Sequence, residues 1–155
     1  MNDQLLVSTS NLTEVLSDGR ILLPEQYTEL VENLLPRCSD WRILGAELIY
    51  RGWLTPYQLK LLLRNRGNEL VLGSYVLLDP LGEGSMGKIY RAKNWRLDSQ
   101  VAVKVIRRSK AEDPDTIERF LREIRALGAI QHPHIVHALD ADAELGRLYI
   151  AMEYV

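Results

Sequence analysis

The sequence predicts an α+β chain in which a small all-α segment precedes a five-stranded sheet with one main helix. Three observations point there. Apolar residues recur at helical spacing up to about Gly73 and at strand spacing after it. The stretches after Gly73 run in the order β-β-β-α-β-β. No repeat or low-complexity tract interrupts the pattern, and no apolar run approaches the ~18 residues needed to span a bilayer.

In the first part, Tyr27, Leu30, Val31, Leu34 and Leu35 form one apolar stripe, so Pro24 to Leu35 reads as an amphipathic helix with proline in its first turn. A second helix runs from Asp40 to Arg51, capped by Ser39 or Asp40 and stopped by Gly52. Thr55-Pro56-Tyr57-Gln58 is a capping box with proline at the first helical position. It opens a helix carrying Leu59, Leu62 and Leu63 that is expected to end at Gly67. A shorter helix is expected from Asn11 to Ser17. Trp41 and Trp53 read as core residues of this segment, residues 1–72, for which the sequence indicates no chemistry.

In the second part, Tyr75 to Leu81, Lys88 to Lys93 and Gln100 to Ile106 read as strands, the last with Val101, Val103 and Val105 on one face. Leu97-Asp98-Ser99 turns between the second and third. Asp115 to Ala129 reads as a helix with Ile117, Leu121, Ile124 and Leu127 inward. Val136 to Ala141 and Arg147 to Met152 are the remaining strands. The change of pattern places a separable boundary near residues 68–74, with residues 1–67 expected to keep helical structure alone.

Composition narrows the function classes. With 155 residues, 46% hydrophobic, 26% charged and a net charge of −2, nothing favours nucleic acid or an anionic membrane as main partner. Lys88 to Lys110 does hold eight basic residues against one acidic, Asp98. That excess suits either a polyanionic ligand or solvated strand faces. A lone cysteine, Cys38, excludes an internal disulfide framework. The first residues lack the basic start of a signal peptide, so the expected location is cytoplasmic. His132, His134 and His137 lie close together, but no carboxylate or cysteine completes a metal set at ligand spacing.

Gly82-Glu83-Gly84-Ser85-Met86-Gly87 is G-x-G-x-x-G, a spacing that lets backbone N–H groups approach phosphates. A dinucleotide-binding turn requires a helix after the glycines, whereas Lys88 to Ala92 has strand character. Gly82 to Lys88 also satisfies G-x-x-x-x-G-K, but Ile89 lacks the hydroxyl a Walker loop uses for Mg²⁺. A glycine-rich hairpin between two strands remains, with an ordinary β-turn as the plain alternative. Val101-Ala102-Val103-Lys104 then puts a lysine on the third strand, sharing a face with Ala102. Glu123 sits on the following helix where it could anchor that lysine, which an ammonium orienting polyphosphate needs.

Residues 75–155 resemble the N-terminal lobe of a eukaryotic-type protein kinase of the kind found in bacteria as serine/threonine kinases. The motifs are Leu-Gly-Glu-Gly-Ser-Met-Gly-Lys-Ile-Tyr-Arg-Ala (81–92), Val-Ala-Val-Lys (101–104), Arg-Phe-Leu-Arg-Glu-Ile (119–124), His-Pro-His-Ile-Val (132–136) and Leu-Tyr-Ile-Ala-Met-Glu-Tyr-Val (148–155). The resemblance implies an antiparallel sheet with one main helix, ATP as bound nucleotide and protein hydroxyls as acceptors. It implies that Lys104 contacts the α- and β-phosphates and pairs with Glu123. Leu81, Ile89 and Ala102 would roof the adenine, with Met152 as gatekeeper. Glu153 and Val155 would present hinge backbone to the adenine edge, and residues 82–87, Gly82 through Gly87, would cover the phosphates. Ala138 is smaller than the residue usual on the fourth strand. The stretch Arg-Gly-Trp-Leu-Thr-Pro-Tyr-Gln (51–58) is similar to helical segments preceding the kinase domain in some large bacterial kinases.

The family's H-R-D-x-x-x-x-N and D-F-G motifs are not among the 155 residues. Asp140 and Asp142 come too early to replace them. Mg²⁺ ligands are therefore expected in a second lobe, and the chain by itself is expected to lack phosphotransferase activity. A non-catalytic nucleotide-binding module and a protein-interaction module remain the alternatives. Downstream sequence carrying both motifs would separate them.

Overall fold

The computed structural model describes residues 9–18, 20–38, 40–84, 87–106, 114–115, 117–119, 122, 135–144 and 147–154. Contacts divide the chain into two compact units, Met1–Asp79 and Pro80–Val155.

The first unit contains α1 (Thr9–Leu16), α2 (Pro24–Glu29), α3 (Trp41–Tyr50) and α4 (Pro56–Leu63). The helix expected from Pro24 to Leu35 is present but changes winding halfway. Over Leu30–Leu34 it is a π-turn, in which the Leu35 N–H donates to the Leu30 carbonyl at 2.8 Å. The wider turn rotates the apolar stripe. Leu30 and Leu34 are buried, while Val31, expected inside, is 39% exposed. Asp40 caps α3 as expected, its Oδ1 accepting from the Arg42 N–H at 3.0 Å. That backbone donor, assisted by the Arg42 guanidinium, holds the Asp40 carboxyl below its ordinary pKa. Gly52, at φ +76°, follows α3 in the left-handed conformation that stops a helix.

The capping box of α4 is complete. Thr55 Oγ1 accepts from the Gln58 N–H at 3.1 Å, and Gln58 Oε1 accepts from the Thr55 N–H at 3.0 Å. The helix ends at Leu63 rather than Gly67, because Asn65 takes the left-handed position at φ +58°. Gly67 instead opens a 3-10 turn, Gly67–Leu70, and is packed tightly: a Cβ there would lie 2.7 Å from Leu62. Trp41 is buried as expected, whereas Trp53 is half-buried beneath the Arg51 guanidinium, 5.1 Å from its ring.

Among the described residues the sheet has six strands rather than the expected five: β1 (Val71–Leu72), β2 (Tyr75–Glu83), β3 (Gly87–Asn94), β4 (Ser99–Ile106), β5 (Ile135–Glu144) and β6 (Arg147–Tyr154). The extra strand, β1, is two residues long, too short to carry a periodic signal. Gly73, at φ +56°, folds it back so that Val71 pairs with Val76 and Leu72 with Tyr75. The spatial order is β1-β2-β3-β4-β6-β5, and every register resolved is antiparallel. Between β3 and β4, Asn94 Oδ1 accepts from the N–H groups of Arg96 and Leu97, and Asp98 sits at φ +53°. Among residues 114–122, those described are helical at 114–115, 117–119 and 122, with an Arg122–Glu118 ion pair of 3.2 Å. The rest of the helix expected at Asp115 to Ala129, including Glu123, lies outside the described residues. Among the described residues no helix is long and apolar enough to cross a membrane.

In register, Ala102 faces Met152 and Lys104 faces Ile150 on β6, while Ile89 of β3 faces Lys104. Val101, Val103 and Val105 occupy the opposite face, as expected, across from Glu153, Ala151 and Tyr149. Gly87 stands opposite Ile106, and a Cβ there would come within 2.0 Å of the Val105 carbonyl oxygen. Only glycine lets β3 start at that separation from β4.

Two outcomes are expected from this packing. Leu70, Leu72, Val76 and Leu77 are at most 2% exposed, and burying such a side chain contributes about 1.5–3 kcal/mol. Residues 1–79 should therefore melt cooperatively by circular dichroism, and residues 1–67 at a much lower temperature; equal melting would show that the strand residues add nothing. Gly87→Ala should destabilise the chain by about 1–3 kcal/mol in urea unfolding. Gly82→Ala and Gly84→Ala, where a Cβ meets nothing within 4 Å, should stay within about 0.5 kcal/mol of the parent.

Candidate functional site

The glycine-rich segment joins β2 to β3. The Gly84 N–H donates to the Gly87 carbonyl at 2.9 Å, which closes the hairpin expected from the sequence. Gly82, Glu83 and Gly84 are exposed. Neither Gly82 nor Gly84 has a left-handed φ, and among the described residues a Cβ at either would meet nothing within 4 Å. The protein's own packing therefore requires glycine at 87 and not at 82 or 84. At those two positions the missing side chain leaves the exposed face of the hairpin uncovered, so that a ligand can approach the backbone closely. Ser85 and Met86 lie outside the described residues.

Beside this loop the sheet carries an apolar shelf. Ala102, Ile150 and Met152 form a fully buried cluster, and half-buried Leu81 and Ile89 pack against it with Ala141 and Tyr154. Four strands converge here: β2 brings Leu81, β3 brings Ile89, and β4 and β6 pair Ala102 with Met152. Four residues named from the sequence, Leu81, Ile89, Ala102 and Met152, are thus brought together. Ile150 was missed, although it stands two residues before Met152 on the same strand and so shares its face by strand periodicity. Lys104 lies two residues from Ala102 on that face, half-buried, between Ile89 and Ile150 in the ladder. Glu153 is exposed and pairs with Val101, on the other face.

An apolar cluster edged by half-buried Leu81 and Ile89, a cation on the same face and an exposed glycine-rich hairpin suit a ligand with a planar apolar ring and an anionic tail. Glu123 and Val155 lie outside the described residues, as do His132 and His134. Asp140 and Asp142 belong to β5. Among the described residues no group of three His, Cys, Asp or Glu side chains gathers at metal-binding distance.

Comparison with known proteins gives the same direction. Residues 75–155 match the family model described as protein kinase domain. The chain is similar to serine/threonine-protein kinase pkn3 of Myxococcus xanthus, 46% identical over 76 residues, which is 48% of this chain and 14% of that protein. It is 39% identical over 85 residues to serine/threonine-protein kinase PrkC of Bacillus subtilis, covering 55% of this chain and 13% of PrkC. A crystal structure of the PknI kinase domain of Mycobacterium tuberculosis shares 32% identity, with a TM-score of 0.44 over 55% of this chain and 34% of that one. The chain therefore spans less than a fifth of the length of these two curated relatives. The matched region is more than half of the chain, from the first full-length strand to Val155, and the chain belongs to the protein kinase family.

Proposed function

We propose that this chain supplies the ATP-holding half of a serine/threonine protein kinase, which transfers the γ-phosphoryl of ATP to a protein hydroxyl. The observation that carries this reading is the shelf of Leu81, Ile89, Ala102 and Met152 on the same sheet face as Lys104. On it, adenine would lie against the apolar shelf, with the backbone of Glu153 and Val155 at its edge. The glycine loop, including Glu83, Ser85 and Met86, would cover the phosphates. Lys104 would draw the α- and β-phosphates toward one place, and Glu123 would hold the lysine's flexible stem in that direction. Both relatives reported above are named serine/threonine kinases, which supports that acceptor class. Mg²⁺, when bound with ATP, neutralises phosphate charge. Its ligands in this reading are the aspartate and asparagine of D-F-G and H-R-D motifs, which are not among these residues.

Two measurements test the proposal. Calorimetry on the 155-residue chain should show Mg-ATP binding no tighter than about 10 µM, because half of the nucleotide's surroundings is not supplied. Nanomolar binding would favour a self-sufficient nucleotide module. In a polypeptide where this chain is joined to a lobe bearing H-R-D and D-F-G, Lys104→Met should lower phosphoryl transfer about a hundredfold or more. Glu123→Gln should lower it through the same lysine, so the double variant should be no slower than the worse single one. Independent, multiplying losses would remove Glu123 from the assignment.

A further inference from the structure

Gln58 is the only buried polar or charged residue among those described, at 2% exposure. A capping-box glutamine does not need burial to cap. Gln26 makes the same reach back at α2, its Oε1 accepting from the Leu23 N–H at 2.9 Å, from a half-exposed position. What distinguishes Gln58 is its other end. Its Nε2 donates to the Leu77 carbonyl at 2.9 Å, and the Thr55 hydroxyl donates to the Leu78 carbonyl. Both carbonyls belong to β2, beyond the two residues that β1 pairs. Thr55 and Gln58 are therefore saturated twice over. Each caps α4 through one set of atoms and holds consecutive β2 carbonyls through another.

The held strand runs on without a break through Leu81, Gly82 and Glu83. We infer that Thr55 and Gln58 are positioning residues for the glycine-rich loop: the α4 capping box clamps β2 three to four residues upstream of Leu81 and so sets the strand from which the loop departs. The physical reason is directional. A buried amide-to-carbonyl bond tolerates little displacement, since leaving either partner unmade inside the protein is costly. Fixing consecutive carbonyls of one strand also limits both sliding and rotation about its axis. The functional meaning of the loop rests on the kinase reading; the clamp itself does not.

The test is hydrogen exchange on the whole 155-residue chain without nucleotide. Gln58→Met and Thr55→Val each remove a clamp bond while keeping side-chain bulk. Thr55→Ser keeps both Thr55 bonds. Asp40→Ala removes the α3 cap and no bond to β2. Peptides covering residues 80–91 should exchange about tenfold faster in Gln58→Met and Thr55→Val, with α1 and α3 unchanged. They should exchange at the parent rate in Thr55→Ser and Asp40→Ala. Parent-rate exchange of residues 80–91 in both clamp variants would overturn the inference, leaving an ordinary helix cap. Acceleration of 80–91 by Asp40→Ala to the same extent would overturn it too, as would global unfolding of both clamp variants where Asp40→Ala stays folded; either would mean general stability. Because no nucleotide is present, the two readings fail separately: a responsive loop here, together with unchanged phosphoryl transfer for Lys104→Met in the two-lobed polypeptide, would refute the kinase reading and leave the clamp standing.

Discussion

The interior position of β4 is the constraint on which the second unit depends. It is hydrogen-bonded to β3 along its whole length and to β6 along Val101–Val105. A strand paired on both sides cannot slip by one residue without turning all its side chains to the wrong face. Val101 and Val103 are buried on one face and Ala102 on the other, so a slip would be penalised twice. That fixed register places Lys104 where the apolar shelf ends, and it forces glycine at 87 against the Val105 carbonyl. Shelf, cation and loop exit are thus consequences of a single ladder.

The sequence was most readable where one residue type has one physical use. The Thr55 capping box, the Asp40 cap and the Gly52 stop depend on local backbone chemistry, and all three are present. The five longer strands also lie where alternating apolar residues indicate, within a few residues at each end. Failures had a common origin in tertiary packing. β1 has only two residues, and its existence depends on Gly73 returning the chain to Val76. The π-turn at Leu30–Leu34 depends on where the stripe must be buried, which helical periodicity cannot say. Gly67 looks like a stop and is instead a point of close packing, the stop having passed to Asn65.

For the candidate site, motif spacing was enough to find Leu81, Ile89, Ala102 and Met152, because strand alternation converts spacing into faces. It was not enough to find Ile150, which no motif names, nor the second role of Gln58. A glutamine at the third helical position is fully explained by capping when only the sequence is seen. Its bond to Leu77 spans 19 residues and becomes visible only when strand and helix are both in place.

The three loop glycines differ in what they owe to the fold, and this gives a way to read degenerate relatives. Gly87 is demanded by the neighbouring strand, while Gly82 and Gly84 stand in open space. On the kinase reading, a relative that has exchanged only the first two for larger residues would keep its sheet and crowd the face on which phosphate is proposed to lie. Such a substitution pattern would mark a lineage that has kept the lobe as a scaffold and abandoned the nucleotide, whereas exchange at the third position would mark one losing the lobe itself.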